Sequence, residues 1–247
     1  MSSIALQLYS IRDIAAADLP GTLARLAEIG YDGVEFAGYY DVDPAEIRRT
    51  LDAQNLGVAG AHVGFQLLED DLDRQIELAQ AVGCPAIGCP GLWNVEYNLA
   101  TFERMAALFN HAGARCQDEG LGFFYHIHGF EFVDVDGKRT GMDVLLEQMD
   151  PQLVTLEPDT HWIARAGVDP VAFVRENAAR CTRLHLKDAA DKNDWNDTEV
   201  GAGVIDMAGV VAAAPNAEWW VVEQEGFDRP PMESVAMSLE NLRKLQG

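Results

Sequence analysis

Short apolar runs alternate with longer amphipathic stretches from one end of this chain to the other, and nothing else in it restricts the fold so strongly. The runs are Ile4–Leu8, Gly33–Phe36, Gly57–His62, Ala86–Cys89, Gly122–His128, Val154–Glu157, Arg183–Leu186 and Trp219–Glu223, eight candidate strands. The stretches between them carry helical spacing. Leu23, Leu26 and Ile29 share a stripe in Leu19–Ile29, which has Pro20 near its start, and Met105, Leu108, Phe109 and Ala112 do so in Phe102–Cys116. Gly30, Gly57, Gly83 and Gly120 each stand where a helix should stop, because glycine takes the left-handed cap without a Cβ penalty. Alternation of buried strands with helices predicts a parallel sheet. Eight such units in 247 residues predict an α/β fold, a single (β/α)8 TIM barrel over 1–247, since such a barrel takes about 250 residues. A doubly wound open sheet is the alternative, but no Gly-x-Gly-x-x-Gly follows the first strand, so a dinucleotide site there is unsupported.

A barrel of this kind gathers its polar site at the carboxyl ends of its strands. Gln7, Tyr9 and Arg12 follow the first run, Glu35 the second and His62 the third, while the fourth leads to Cys89, Pro90 and Trp93. The fifth carries His126 and His128 and then Glu131, and the sixth ends in Glu157, Asp159 and His161. The seventh contains His185, Lys187 and Asp188, and the eighth ends in Glu223 and Glu225. Five of the six histidines lie at such ends; His111 sits mid-helix and reads as surface or packing. Any one of these groups can be a hydrogen-bonded structural residue; their collection points to a site. One His with three carboxylates is an oxygen-rich set that suits Mn²⁺ or Mg²⁺ and is compatible with Co²⁺ or Zn²⁺.

Charge and cysteine usage narrow the classes further. The chain has 18 Lys+Arg against 40 Asp+Glu, a net charge of −22. Such a surface repels nucleic acid and anionic membrane, disfavours a polyanionic substrate and fits a neutral small molecule better. Cys84, Cys89, Cys116 and Cys181 form no CxxC pair and read as buried free thiols suited to a reducing cytoplasm. No basic leader precedes Ile4, and no apolar run approaches the roughly 18 residues of a membrane span. A cytoplasmic protein is therefore expected, and a homo-oligomer is compatible with the sequence.

Several blocks then carry a resemblance that runs nearly end to end. They are Leu6–Arg12, Glu28–Phe36, Tyr125–Phe132 (Tyr-His-Ile-His-Gly-Phe-Glu-Phe), Leu156–Trp162, Leu184–Asp188 and Val222–Gln224. Together they resemble the xylose isomerase-like TIM barrels, a superfamily of sugar phosphate isomerases and epimerases. In related ketose epimerases one metal is held by Glu, Asp, His and Glu from four successive strands, and by similarity Asp159, His185 and Glu223 fall on three of those positions. Glu131, which matches the carboxylate of the YHxHxxEF pattern, is the expected first ligand, with His126 or His128 as substitutes. The chain departs from the usual pattern at Ile127, at Glu157-Pro-Asp-Thr-His161 and at Ala202. The resemblance implies a metal-dependent isomerase or epimerase that takes the proton between a carbonyl and a hydroxyl of a keto sugar or related polyol.

In that reading Glu223 or Glu131 is the base, His128 a second candidate base, and Lys187 steadies developing oxyanion charge. Lys187 can equally form a structural ion pair with Asp188 or another carboxylate. Glu35, His62 and His126 are expected in the substrate pocket, with packing as the alternative for the first two. Arg12 can bind a phosphate or carboxylate, or cap a loop. Trp93 and Trp162 can wall a sugar site, whereas Trp219 and Trp220 read as packing. His161 can orient a ligand. The competing activity is a lyase, since the same enediolate can expel a β-leaving group, as in inosose-type dehydration or cleavage of a 3-keto glycoside. An endonuclease of the endonuclease IV type would need a multi-zinc, His-rich cluster and a DNA-binding face, which a charge of −22 opposes. A non-catalytic sugar-binding barrel would need no metal set. Gly201-Ala-Gly203 is too short a signal for a phosphate cradle.

Overall fold

The computed structural model describes residues 2–246. The strands are β1 (Ser3–Gln7), β2 (Gly33–Phe36), β3 (Gly57–His62), β4 (Ala86–Cys89), β5 (Gly122–Ile127), β6 (Thr155–Pro158), β7 (Arg183–Leu186), β8 (Asp188–Ala189), β9 (Asp197–Thr198) and β10 (Trp219–Val222). Eight of them form one parallel sheet in the order β6-β5-β4-β3-β2-β1-β10-β7, while β8 and β9 pair as a small antiparallel ribbon. The two ends of the large sheet meet through single bridges, Leu156 to Cys181 and Asp159 to His185, which leaves a seam between β6 and β7. The sheet is therefore a nearly closed TIM barrel with helices outside, as the alternation predicts.

Local chemistry sets the helix ends. Asp18, Asp43, Asn98, Asp169 and Asp206 each cap a helix by accepting from a backbone N–H in its first turn. Gly30 and Gly83 close helices in the left-handed conformation, as expected. Gly57 does not. Asn55 takes that role, with φ 52°, and Gly57 opens β3. Its reason is room: a Cβ there would lie 2.9 Å from the Trp219 indole, and one at Gly33 would lie 2.8 Å from it. Trp219 thus plugs the floor of the barrel against Ala5, Ala59 and Val221, and Trp220 is buried in the core, so both tryptophans pack.

Strand alternation sorts the remaining side chains into an inner and an outer face. Above the Trp219 floor, Arg183 lies over the Phe124 ring at 4.1 Å and donates to Ala59 O at 2.9 Å. Above that layer stand Glu35, His62, Glu157 and His185, and then Asp159 and Glu223. The outer face of β5 carries Tyr125, which stacks on Phe109 of the surrounding helix Leu99–Asp118.

Candidate active site

Two overlapping clusters hold titratable atoms close enough for a metal ion: His126, Asp159, His185 and Glu223, and His62, His126, Glu157 and His185. The second is bound together by a single oxygen, while the other Glu157 oxygen, Oε1, is buried without a hydrogen-bond partner. Glu157 Oε2 lies 2.9 Å from His62 Nε2, 3.0 Å from His126 Nδ1 and 3.3 Å from His185 Nε2, so one carboxylate oxygen is shared by three imidazoles. In the first, Asp159 Oδ2 is buried without a hydrogen-bond partner. Burial, with Glu223 adding to it and Lys187 opposing it, pushes the Asp159 carboxyl up to about 7.

The surroundings of His185 favour positive charge. Burial pushes its imidazole down, but Glu157 and Glu35 outweigh that and hold it well above its ordinary value. Glu223 is driven well below the usual carboxylate range, because Lys187 and His185 outweigh its burial. A cation among Asp159, His185 and Glu223 would replace the imidazole proton, satisfy the orphaned Asp159 oxygen and relieve the carboxylate repulsion. The donor set fits a divalent metal.

Each imidazole of that set is braced from behind. His185 Nε2 lies 2.6 Å from Glu35 Oε2, which leaves Nδ1 on the side of Glu223 Oε2, 2.7 Å away. His126 uses Nδ1 toward Glu157, leaving Nε2 as its ligand atom. Ligating histidines are commonly oriented this way by carboxylates. Glu157 was visible in the sequence only as a strand-end residue; its spacing of two from Asp159 on one strand places both on the inner face.

Glu131 stands elsewhere. It accepts from Tyr125 Oη at 2.5 Å and from the His128 backbone N–H at 2.9 Å, and it belongs to neither cluster. Tyr125 faces outward from β5, so its partner is drawn behind the sheet, while the inward-facing His126 occupies the place at the cleft. Burial pushes the Glu131 carboxyl up to about 7, more than its two donors pull it back.

A cleft of about 740 Å³ opens over the cluster. His62, His126, His128, Trp93, Trp162 and Glu223 line it, together with Gln7, Tyr9, Phe130, Arg165 and Glu225, of which Phe130 and Arg165 were not singled out in the sequence. His128 sits among aromatic rings, 4.8 Å from Trp93 and 5.5 Å from Trp162 between centroids. Burial, and then His126, hold it well below its ordinary value, so it is a neutral imidazole, and its Nδ1 has no partner. His62 is shifted upward, burial being outweighed by Glu35 and Glu157.

The other expected residues take structural partners. Lys187 pairs with Glu225 and lies 5.0 Å over the Trp162 ring; Asp188 instead accepts from the amides of Ala189, Gly201, Gly203 and Ile205. The glycine-rich loop thus wraps a carboxylate of its own chain. Arg12 donates to Tyr9 O at 3.0 Å and covers the Tyr9 ring, outside the cleft wall. His161 faces Asp197 at 3.6 Å and the Trp195 ring rather than a ligand of the cluster. The four cysteines are buried and free. Among the described residues no helix is long and apolar enough to cross a membrane.

Comparison with known proteins agrees with this architecture. The sequence pattern described as xylose isomerase-like TIM barrel matches residues 23–245. Inosose dehydratase 2 of Bacillus cereus is 23% identical over 243 residues, covering 82% of this chain and 80% of the relative. Inosose dehydratase of Geobacillus kaustophilus is 26% identical over 203 residues, covering 69% and 65%. The crystal structure of a sugar phosphate isomerase/epimerase from Parabacteroides distasonis superposes with a TM-score of 0.83 at 23% identity, covering 98% of this chain and 94% of that one.

Proposed function

We propose that this chain, which belongs to the xylose isomerase-like TIM barrel family, is a divalent-metal-dependent lyase that removes water from a polyhydroxylated ketone such as a keto cyclitol or keto sugar. The observation that carries this is an asymmetry among the proton carriers of the cleft. Where related ketose epimerases place a glutamate, this chain brings His126 to the metal set and turns Glu131 away. Glu223 is held ionised and His128 neutral, and both line the cleft. An epimerase must take a proton from one face and return one to the other, whereas an elimination needs one base and one group that assists the leaving hydroxyl. The inosose dehydratases among the relatives support the same direction.

His126, Asp159, His185 and Glu223 would hold a divalent cation, which would supply a Lewis acid for the carbonyl. Glu223 uses Oε2 toward His185, which leaves Oε1 to take the proton from the carbon next to the carbonyl. The β C–O bond breaks while the His128 N–H donates a hydrogen bond to the departing oxygen, and the proton that Glu223 took passes to that oxygen, so that the hydroxyl leaves as water. His62 and Gln7, both in the cleft wall, hold substrate hydroxyls. Trp93, Phe130 and Trp162 provide apolar faces for the ring.

An isomerase or epimerase is the second reading, favoured by His62. It lines the cleft, and its upward shift makes it a proton donor from another strand. The test is incubation of Mn²⁺-loaded protein with a keto inositol, a 3-keto glucoside and a ketohexose, followed by mass spectrometry of the products. Loss of water supports the lyase; loss of the aglycone keeps the lyase class and changes the leaving group. An isomer of unchanged mass moves the second reading forward. No turnover of any of them by metal-loaded protein overturns both.

A further inference from the structure

Every charged side chain that lines the cleft has a partner inside the protein, with one exception. Glu223 is held by His185 at 2.7 Å, and Glu225 pairs with Lys187. Arg165 is the one arginine or lysine among the lining residues, and among the described residues no carboxylate lies within ion-pair reach of it. The guanidinium is not loose, however. It lies 5.2 Å from the centre of the Trp162 ring, itself part of the cleft wall, which steadies it at the rim.

Its place along the chain sets its distance from the metal set. Asp159 caps the short helix Thr160–Arg165, and Arg165 is the last residue of that helix. Six residues at about 1.5 Å each put the two about 9 Å apart along the axis. The guanidinium lies back over Trp162, three residues nearer Asp159 in the chain, so a six-carbon molecule can engage both ends.

We propose that Arg165 anchors a carboxylate of the substrate at the rim of the cleft, so that the preferred substrate is a keto-sugar or cyclitol acid rather than a neutral polyol. This rests on the reading of the cleft as the place where a polyhydroxylated ketone binds. The guanidinium fork matches a carboxylate with two parallel hydrogen bonds. A phosphate dianion suits the rim less well. Arg165 is a lone cation, and the glycine-rich loop that could have offered backbone amides spends them on Asp188. The net charge of −22 opposes a polyanion in general, but a single carboxylate beside an uncompensated arginine meets the local field first.

The test is binding of D-glucuronate, D-glucose 6-phosphate and D-glucose to Mn²⁺-loaded protein, read by quenching of tryptophan fluorescence and by calorimetry. Arg165→Gln and Arg165→Lys are measured beside the wild type. D-glucuronate is expected to bind about fivefold more tightly than D-glucose, a range set by an exposed, ring-supported ion pair. The preference should vanish in Arg165→Gln, persist in part in Arg165→Lys, and shrink in about 0.5 M KCl. A preference that survives in Arg165→Gln belongs to the metal set and overturns the proposal. So does equal binding of all three sugars, absence of binding, or a preference for the phosphate. Because binding is read without turnover, failure here leaves the lyase assay standing, and failure of that assay leaves this result standing.

Discussion

Glu35 on β2 and His185 on β7 lie 150 positions apart in the chain, and their Oε2 and Nε2 atoms are 2.6 Å apart at the centre of the barrel. The same Glu35 oxygen accepts from Gln7 Nε2 at 2.8 Å and stands 3.2 Å from His62 Nε2. Glu35 therefore holds the imidazole of His185 by Nε2 and keeps Nδ1 turned toward Glu223. Glu35→Gln is expected to weaken Mn²⁺ binding about tenfold or more, the usual cost of losing such a brace, while far-ultraviolet circular dichroism stays the same. Calorimetric titration with Mn²⁺ checks this; unchanged affinity would remove Glu35 from the metal set's support.

Asp159 and Glu131 should behave oppositely. Asp159→Ala removes the orphaned oxygen and a ligand from the cluster and is expected to abolish stoichiometric metal. Glu131→Gln leaves the cluster whole and should keep it. Metal content of the purified variants by plasma mass spectrometry decides, and loss of metal from Glu131→Gln would return that residue to the ligand set.

Glu131 also gives a pH signature. Its carboxyl is raised from an ordinary 4.5 to about 7 in the fold, by burial above all. The fold therefore favours the protonated form: that contribution is fully present below the unfolded value and is lost as pH rises through the folded one. The loss is on the order of 3 kcal/mol. Glutamine cannot ionise, so Glu131→Gln should gain stability relative to wild type between about pH 5 and about pH 8. Urea unfolding of both proteins with chelator present measures the gap; a gap that stays constant with pH would contradict the assignment.

The thiols should be inert in the folded state. Burial pushes Cys84, Cys89, Cys116 and Cys181 each up to about 12, so almost none of the reactive thiolate exists at neutral pH. Iodoacetamide at about pH 8 is expected to leave the native protein unlabelled over minutes and to label all four thiols after denaturation. Rapid labelling of any one in intact-mass spectra would mark a site that opens.

The barrel was legible in the sequence because its strands are short apolar runs whose boundaries the structure moves by only one residue, as at β1 and β6. Gly57 shows where local reading stops. As a helix cap it was plausible, but its true reason is an indole arriving from β10, more than 160 residues away, which no local pattern reveals. Asp159, His185 and Glu223 were visible as strand ends. Glu131 could not be placed, because its position depends on Tyr125 facing the helices, and β5 has apolar residues on both faces. Glu157 was within reach, since a spacing of two on one strand shares a face. Arg165 was hidden because it sits at the end of a short helix, where a cation looks like an ordinary cap.

The barrel is a ring with one weak joint. β6 and β7 touch through isolated bridges, and one of these joins Asp159 to His185, the two residues that offer metal ligands from opposite sides of that joint. An ion held between them would act as a clasp, carrying load that seven other strand junctions carry through their own ladders. Opening of the ring and loss of the ion then become one event, so the cellular supply of the metal would govern how long the folded ring lasts as well as how fast it works.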